Sequence, residues 1–177
     1  MESRVLYKET QRFKQWWLWL LLGAINVGLG VNAYSHFVLN KPMGDPPISD
    51  WGVVLLLGFT LILSVLFLSF TLHTQITSEG IQIRFFPIHR RYRTYEWKEI
   101  SKVYCRTYSP IREYGGWGIR YGFFGKGIAY NISGNQGLQL ELNNQKKVLI
   151  GTQNPQTITQ VLQPIIEAQG LNKELST

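Results

Sequence analysis

From His73 to the C-terminus the chain carries one thiol, Cys105, two histidines, His73 and His89, and no aspartate. Nucleophilic catalysis needs a nucleophile, a base within hydrogen-bond reach and a group that orients the base. These residues supply no such set. Cys105 lies in the alternating run "KVYCRT", where a strand accommodates a small apolar side chain. His89 lies in the basic turn "FPIHR", and His73 follows an apolar run directly. One cysteine with scattered histidines also lacks the ligand spacing of a metal site. The "GKG" at 125–127 is not a phosphate loop: Arg120 stands where that motif needs its first glycine, and Gly127 where it needs Ser or Thr. "NIS" at 131–133 matches a glycosylation acceptor in form only. The inventory predicts a protein that is not an enzyme, with no cofactor and no bound metal.

Charge and one unusual stretch remain. The chain has 18 Lys+Arg against 11 Asp+Glu, a net charge of +7, and most of the excess falls after residue 72. The densest patch is "HRRYR" at 89–93, which makes Arg90, Arg91 and Arg93 candidate contacts for an anionic surface, the alternative being a plain solvated face. The stretch "YSPIREYGGWGIRYG", Tyr108 to Gly122, sets three glycines around a tryptophan. Gly115, Gly116 and Gly118 are expected where a sheet folds over at a corner. Two roles stay open for it: a structural bend with Trp117 tucked against the sheet, or a recognition loop presenting Arg112, Trp117 and Arg120.

Two apolar runs dictate what must hold these residues in place. From Trp16 to Phe37 the only charge-capable side chain is His36, and from Trp51 to Leu72 there is none. At about 1.5 Å per residue each run crosses a hydrocarbon core of about 30 Å. Trp16, Trp17 and Trp19 at one edge, and Tyr34, Phe37 and Trp51 at the other, suit the headgroup level. A cleaved signal ending at Ala33 is a rival, but the run exceeds the usual apolar region of about 7 to 15 residues. The expected division is an N-terminal cytoplasmic segment 1–15, a transmembrane helix 16–38, an external loop 39–50, a second helix 51–72, and a cytoplasmic domain 73–177. Arg4, Lys8, Arg12 and Lys14 before the helices, and Arg84, Arg90, Arg91 and Arg93 after them, outweigh Lys41 in the loop, so both termini are expected inside the cell membrane. Asn26, Gly28 and Gly30 in the first helix, with Gly58, Thr60 and Ser64 in the second, serve helix packing, either within the hairpin or across a homo-oligomer seam.

After residue 72 the period changes to alternation. Strands are predicted at 72–77, 80–86, 92–97, 101–108, 118–124, 128–133, 137–142 and 146–151, separated by turn chemistry such as "TSEG" and "NNQK". Asn154 and Pro155 then open a helix with Ile158, Val161, Leu162, Ile165 and Ile166 on one face, and Gly170 stops it.

Strands followed by one amphipathic helix give a mainly-β barrel of about seven strands closed by its C-terminal helix. On "ITSEGIQIRF", "YEWKEI" and "IGTQNPQTI" the chain resembles the bacterial pleckstrin-homology-like (PH-like) membrane proteins with a helical hairpin ahead of the domain. The resemblance implies a binding or scaffolding module at the inner face of the membrane. The alternative is an accessory subunit whose hairpin holds a membrane enzyme or transporter. The expected partners are the lipid bilayer, with weak contact to anionic headgroups, and a protein; nucleic acid is not expected, because a tethered domain meets anionic lipid first. Phosphoinositide-binding relatives keep their basic residues around the first hairpin, here taken as "ITSEGI", which has an acid and no base.

Overall fold

The structure is a computed structural model that describes residues 4–41, 44 and 47–171. Pro42, Asp45 and Pro46 of the connecting loop, and the tail from 172 to 177, lie outside the described residues. The chain forms two compact units: Lys14–Ser69, and Met1–Phe13 together with Phe70–Thr177.

The first unit is a pair of helices, α1 (Trp16–Phe37) and α2 (Asp50–Ser69). Both are long and apolar enough to cross a membrane. Only Leu22 of α1 and Val53 and Thr60 of α2 are buried, so large apolar side chains such as Val27, Phe59 and Ile62 point outward. The seam between the helices carries the polar groups instead. Asn26 donates to Ser64 Oγ at 2.9 Å and to the Leu22 carbonyl at 2.7 Å, and accepts from Thr60 Oγ1 at 3.0 Å. The helix predicted to reach residue 72 stops at Ser69. Thr71 begins the alternation that continues through Thr77, and Leu72 is fully buried in the β core, which outweighs the apolar run.

The second unit contains two sheets. The first is β1 (Val5–Arg12), β2 (Thr71–Thr77), β3 (Gly80–Phe86) and β4 (Arg93–Glu96), antiparallel and in that order. The second contains β5 (Ile100–Thr107), β6 (Gly118–Tyr121), β7 (Ile128–Asn131), β8 (Gln136–Leu142) and β9 (Lys147–Gly151), ordered β5-β8-β9-β7-β6, with β7 and β9 parallel. A short helix α3 (Pro110–Tyr114) follows β5, and α4 (Pro155–Gln169) follows β9. The eight predicted strands are all present: β3 has the expected bounds, β2 and β8 begin one residue earlier, β5 is shifted by one, and β4, β6, β7 and β9 are shorter; the two sheets are not closed into a barrel, since the pairing stops at β4 and restarts at β5.

One strand was not anticipated. The segment 1–15, expected to lie apart from the domain, supplies β1, which pairs with β2 from Val5↔Thr77 to Arg12↔Thr71. Its inward face is Tyr7, Glu9 and Gln11, so the period-two pattern carries no apolar signature. Glu9 is only 6% exposed. Its carboxylate accepts from Tyr7 OH at 2.9 Å, Gln11 Nε2 at 3.1 Å, Thr152 Oγ1 at 2.7 Å and the Gln153 N–H at 2.8 Å. Four donors are what a buried carboxylate requires. They stitch the N-terminal strand to the entrance of α4.

Between the sheets lies one core. Leu72, Ile76, Ile81, Ile83 and Phe85 meet Val103, Leu138, Leu140 and Ile150, with Ile158 and Leu162 of α4 inserted. Full burial of each such side chain contributes about 1.5–3 kcal/mol. Pro164 is tolerated because it and Gln160 face outward, where water reaches the freed carbonyl. At the passage from β4 to β5, Trp97 donates its indole N–H to the Thr77 carbonyl at 3.1 Å, and Glu96 and Glu99 cap the turn reciprocally.

Candidate functional site

The glycine-rich stretch carries the chain from β5 at one edge of the second sheet to β6 at the opposite edge of the same sheet. It is therefore not a corner where one sheet folds onto another. Ser109 caps α3 through its side chain, with Pro110 at the first helical position. Gly115 ends the helix in the left-handed region at φ 71°. The Gly115 and Gly116 amides donate to the Ile111 and Pro110 carbonyls, which satisfies carbonyls a helix end leaves open. Gly118, at φ 115°, donates to Asn131 Oδ1 at 2.9 Å.

Beneath this connection is a small second core of Tyr108, Tyr114, Ala129 and Leu149, with the tyrosine rings edge to face at 5.9 Å. Burial pushes the Tyr108 phenol up to about 12, so it stays a neutral hydrogen-bond partner of Asn131. A charged knot covers the core. Arg106 lies 2.9 Å from Glu113 Oε2 and donates to Gln139 Oε1 at 3.0 Å and Tyr114 OH at 3.2 Å, while the Ser109 N–H donates to Glu113 Oε1 at 2.8 Å. Burial alone would raise the Glu113 carboxyl. The hydrogen bonds from Arg106 and Ser109, with Lys126 nearby, outweigh it and hold the group below the ordinary carboxylate range.

The candidate residues of this stretch do not form one cluster. Trp117 is half-buried, its indole donating to the Gly134 carbonyl at 3.2 Å, and Arg120 Nε donates to the Trp117 carbonyl at 3.1 Å. Arg112 is exposed on α3. The basic turn divides in the same way. Arg90, Arg91 and Arg93 are all exposed, but Arg93 lies on β4 opposite Ile83 and donates to Tyr130 OH at 2.6 Å.

Other cations join the first pair from an unexpected place. In register, Thr10, His73 and Arg84 form one row across the outer face of the first sheet, with Lys8 in the row beside it and Arg12 in the row beyond. These three rows contain no carboxylate. The His73 imidazole is pushed below its ordinary value by burial and then by Arg84, Lys8 and Arg12, which disfavours its charged form. Arg84 lies over the Tyr92 ring at 4.8 Å. The alternation of Lys8, Thr10 and Arg12 was the available signal for this face, and it reads equally well as a basic membrane flank.

No group of three or more His, Cys, Asp or Glu that could hold a metal is present among the described residues. Cys105 is half-buried with its Sγ 3.7 Å from the Pro155 carbonyl, and burial pushes the thiol up, away from the thiolate that nucleophilic chemistry needs. Two shallow grooves, of about 660 and 690 Å³, open at Gln153 and Thr159 and at Lys98 and Asn143. Compared with known proteins, the chain matches no family model and no curated protein.

Proposed function

We propose that the protein is a non-enzymatic integral membrane protein of the cell membrane. Its PH-like module, built from residues 4–13 and 70–171, stands at the inner face of the bilayer as a binding or scaffolding unit. The observation that carries this reading is the in-register pairing of β1 with β2 around α1 and α2. Two strands that share hydrogen bonds lie on one side of a membrane, so helices inserted between them must cross and return. Three residues join β1 to α1 and one joins α2 to β2, a reach of roughly 10 Å or less. The outward-facing apolar side chains of the helices and their inward polar seam also suit lipid as the solvent.

The PH-like assignment draws support from a four-stranded sheet, the antiparallel trio β5-β8-β9, and a C-terminal helix in the shared core. The β6–β7 hairpin is then an insertion added to the edge of β9. In such a fold the connection between the first two strands is the membrane hairpin itself, and "ITSEGI" joins the second and third. Phosphoinositide recognition through a basic first loop is therefore replaced by tethering. Lys8, Arg12, Arg84, Arg90 and Arg91 supply diffuse attraction to anionic lipid, on the order of 1 kcal/mol per cation near the surface. The accessory-subunit reading loses ground, because Asn26, its polar handle, is already bonded inside the hairpin.

Single cysteines at Ser49 and Asn144, placed in a Cys105→Ala background, test the topology. A membrane-impermeant maleimide applied to intact cells is expected to label position 49 and to reach position 144 only after lysis. Labelling of position 144 in intact cells would sink the proposal.

A further inference from the structure

The tip of the β6–β7 hairpin carries more apolar surface than the fold uses. Phe123, Phe124, Gly125 and Lys126 form a two-residue turn closed by the Lys126 N–H to the Phe123 carbonyl at 3.2 Å, with both central residues at positive φ, 51° at Phe124 and 74° at Gly125. Asn, Asp or Gly normally occupies the first central position of such a turn, because a bulky side chain is strained in the left-handed region. Phe124 accepts that strain and buries nothing in return: it is 103% exposed. Tyr121 at the end of β6 is 81% exposed, Phe123 of the turn is exposed, and so is Ile111 on α3.

The tip is nevertheless held firmly. The Phe123 N–H donates to the Glu113 carbonyl at 3.0 Å, Tyr114 OH to the Lys126 carbonyl at 3.2 Å, and Gly122 N–H to the Gly127 carbonyl at 2.6 Å. Gly127, at φ 79°, has no room for a Cβ against the Lys147 carbonyl. A rigid, strained and uncovered aromatic tip gains its stabilisation only when something outside the chain covers it.

Charge selects the occupant. Arg120 and Lys126 bracket the aromatics in sequence and Arg112 is exposed on α3, while Glu113 is paired with Arg106 and Lys126, and Glu141 with Lys147. Exposed aromatic rings next to cations, with these two acids already paired, fit the headgroup level of an anionic bilayer. We propose that the Tyr121–Lys126 tip inserts its aromatic side chains at the headgroup–acyl boundary of the membrane that α1 and α2 span, giving the module a second point of attachment. The inference rests on the membrane reading above.

The test uses the full-length chain in nanodiscs of phosphatidylcholine and phosphatidylglycerol, in a Cys105→Ala background, with a spin label at Tyr121→Cys, Phe59→Cys or Asn144→Cys. Position 121 is expected to be accessible to oxygen and shielded from a water-soluble nickel chelate, position 59 more so, and position 144 fully open to the chelate. Adding Phe124→Asn, which relieves the turn, is expected to move position 121 to aqueous values while the thermal midpoint stays level or rises. A label in lipid at 59 with an aqueous label at 121 overturns the inference and leaves the membrane reading standing. An aqueous label at 59 overturns both. Shielding of 121 from oxygen and nickel alike means that a second copy of the chain covers the tip, and also overturns it.

Discussion

Each unit of this protein buries a polar node that joins distant segments, one at Asn26 and one at Glu9, and these two nodes are built differently. In the helix pair, Asn26 meets Thr60 and Ser64, neutral groups on two otherwise apolar helices. In the β unit, Glu9 is a carboxylate with four donors gathered from two separate segments, β1 itself and the entrance of α4. The difference reflects what each node competes with. A hydroxyl or amide exposed to lipid finds some partner even in separated helices, so its net worth is small, averaging about 0.6 kcal/mol for such bonds. Removing a buried carboxylate from the β unit leaves several donors without partners, at about 1–3 kcal/mol for each group. The sheet node therefore determines whether the unit folds; the helix node determines how the helices align.

The sharpest way to break this contrast is to remove β1. A chain beginning at residue 70, which keeps all of β2, loses β1 and the Glu9 node, and is expected to show no cooperative urea transition. A chain in which Arg12 is joined to Thr71 by an Asn-Gly turn should fold and show one. Glu9→Ala in that joined chain is expected to cost about 3–4 kcal/mol by chemical denaturation. Leu162→Ala, which empties a core position without touching either node, should cost about 2–4 kcal/mol. Asn26→Leu is expected to change the stability of the reconstituted helices by less than about 2 kcal/mol, read by steric-trap or denaturant titration in bilayers. A larger loss there would erase the contrast.

The smallest effect concerns pH. Because the Glu113 carboxyl is held low in the folded state, its contribution is present above the unfolded glutamate range and is lost as pH falls through the folded value. Urea midpoints of the joined chain at pH 6 and pH 3 should differ by less in Glu113→Gln than in the native sequence.

How far the sequence revealed these features depends on which side chains face inward. Ile81, Ile83 and Phe85, or Leu138 and Leu140, announce their strands because alternation and apolarity coincide. β1 is silent because its inward residues are Tyr7, Glu9 and Gln11, whose burial depends on partners about 140 residues away in Thr152 and Gln153. α3 is a single capped turn, too short for periodicity, and "SPIREYGG" reads as a loop until the Ser109 cap and the left-handed Gly115 are seen together. The basic residues were legible as charge but not as a surface, since Lys8, Arg12 and Arg84 become neighbours only through the β1–β2–β3 register. Phe124 was invisible for a simpler reason: nothing in a sequence distinguishes an aromatic that packs from one that does not.

The pairing of β1 with β2 also has a consequence for biosynthesis. β1 leaves the ribosome ahead of its partner, which follows about sixty residues later, after both apolar helices have emerged. On the topology proposed above, the first strand waits, unpaired, until translocation of the hairpin is finished. A chain whose second helix failed to return would leave the two strands in different compartments, with the edge of β2 bare and Glu9 without Thr152 or Gln153. On that topology, completion of the sheet reports correct insertion of the hairpin.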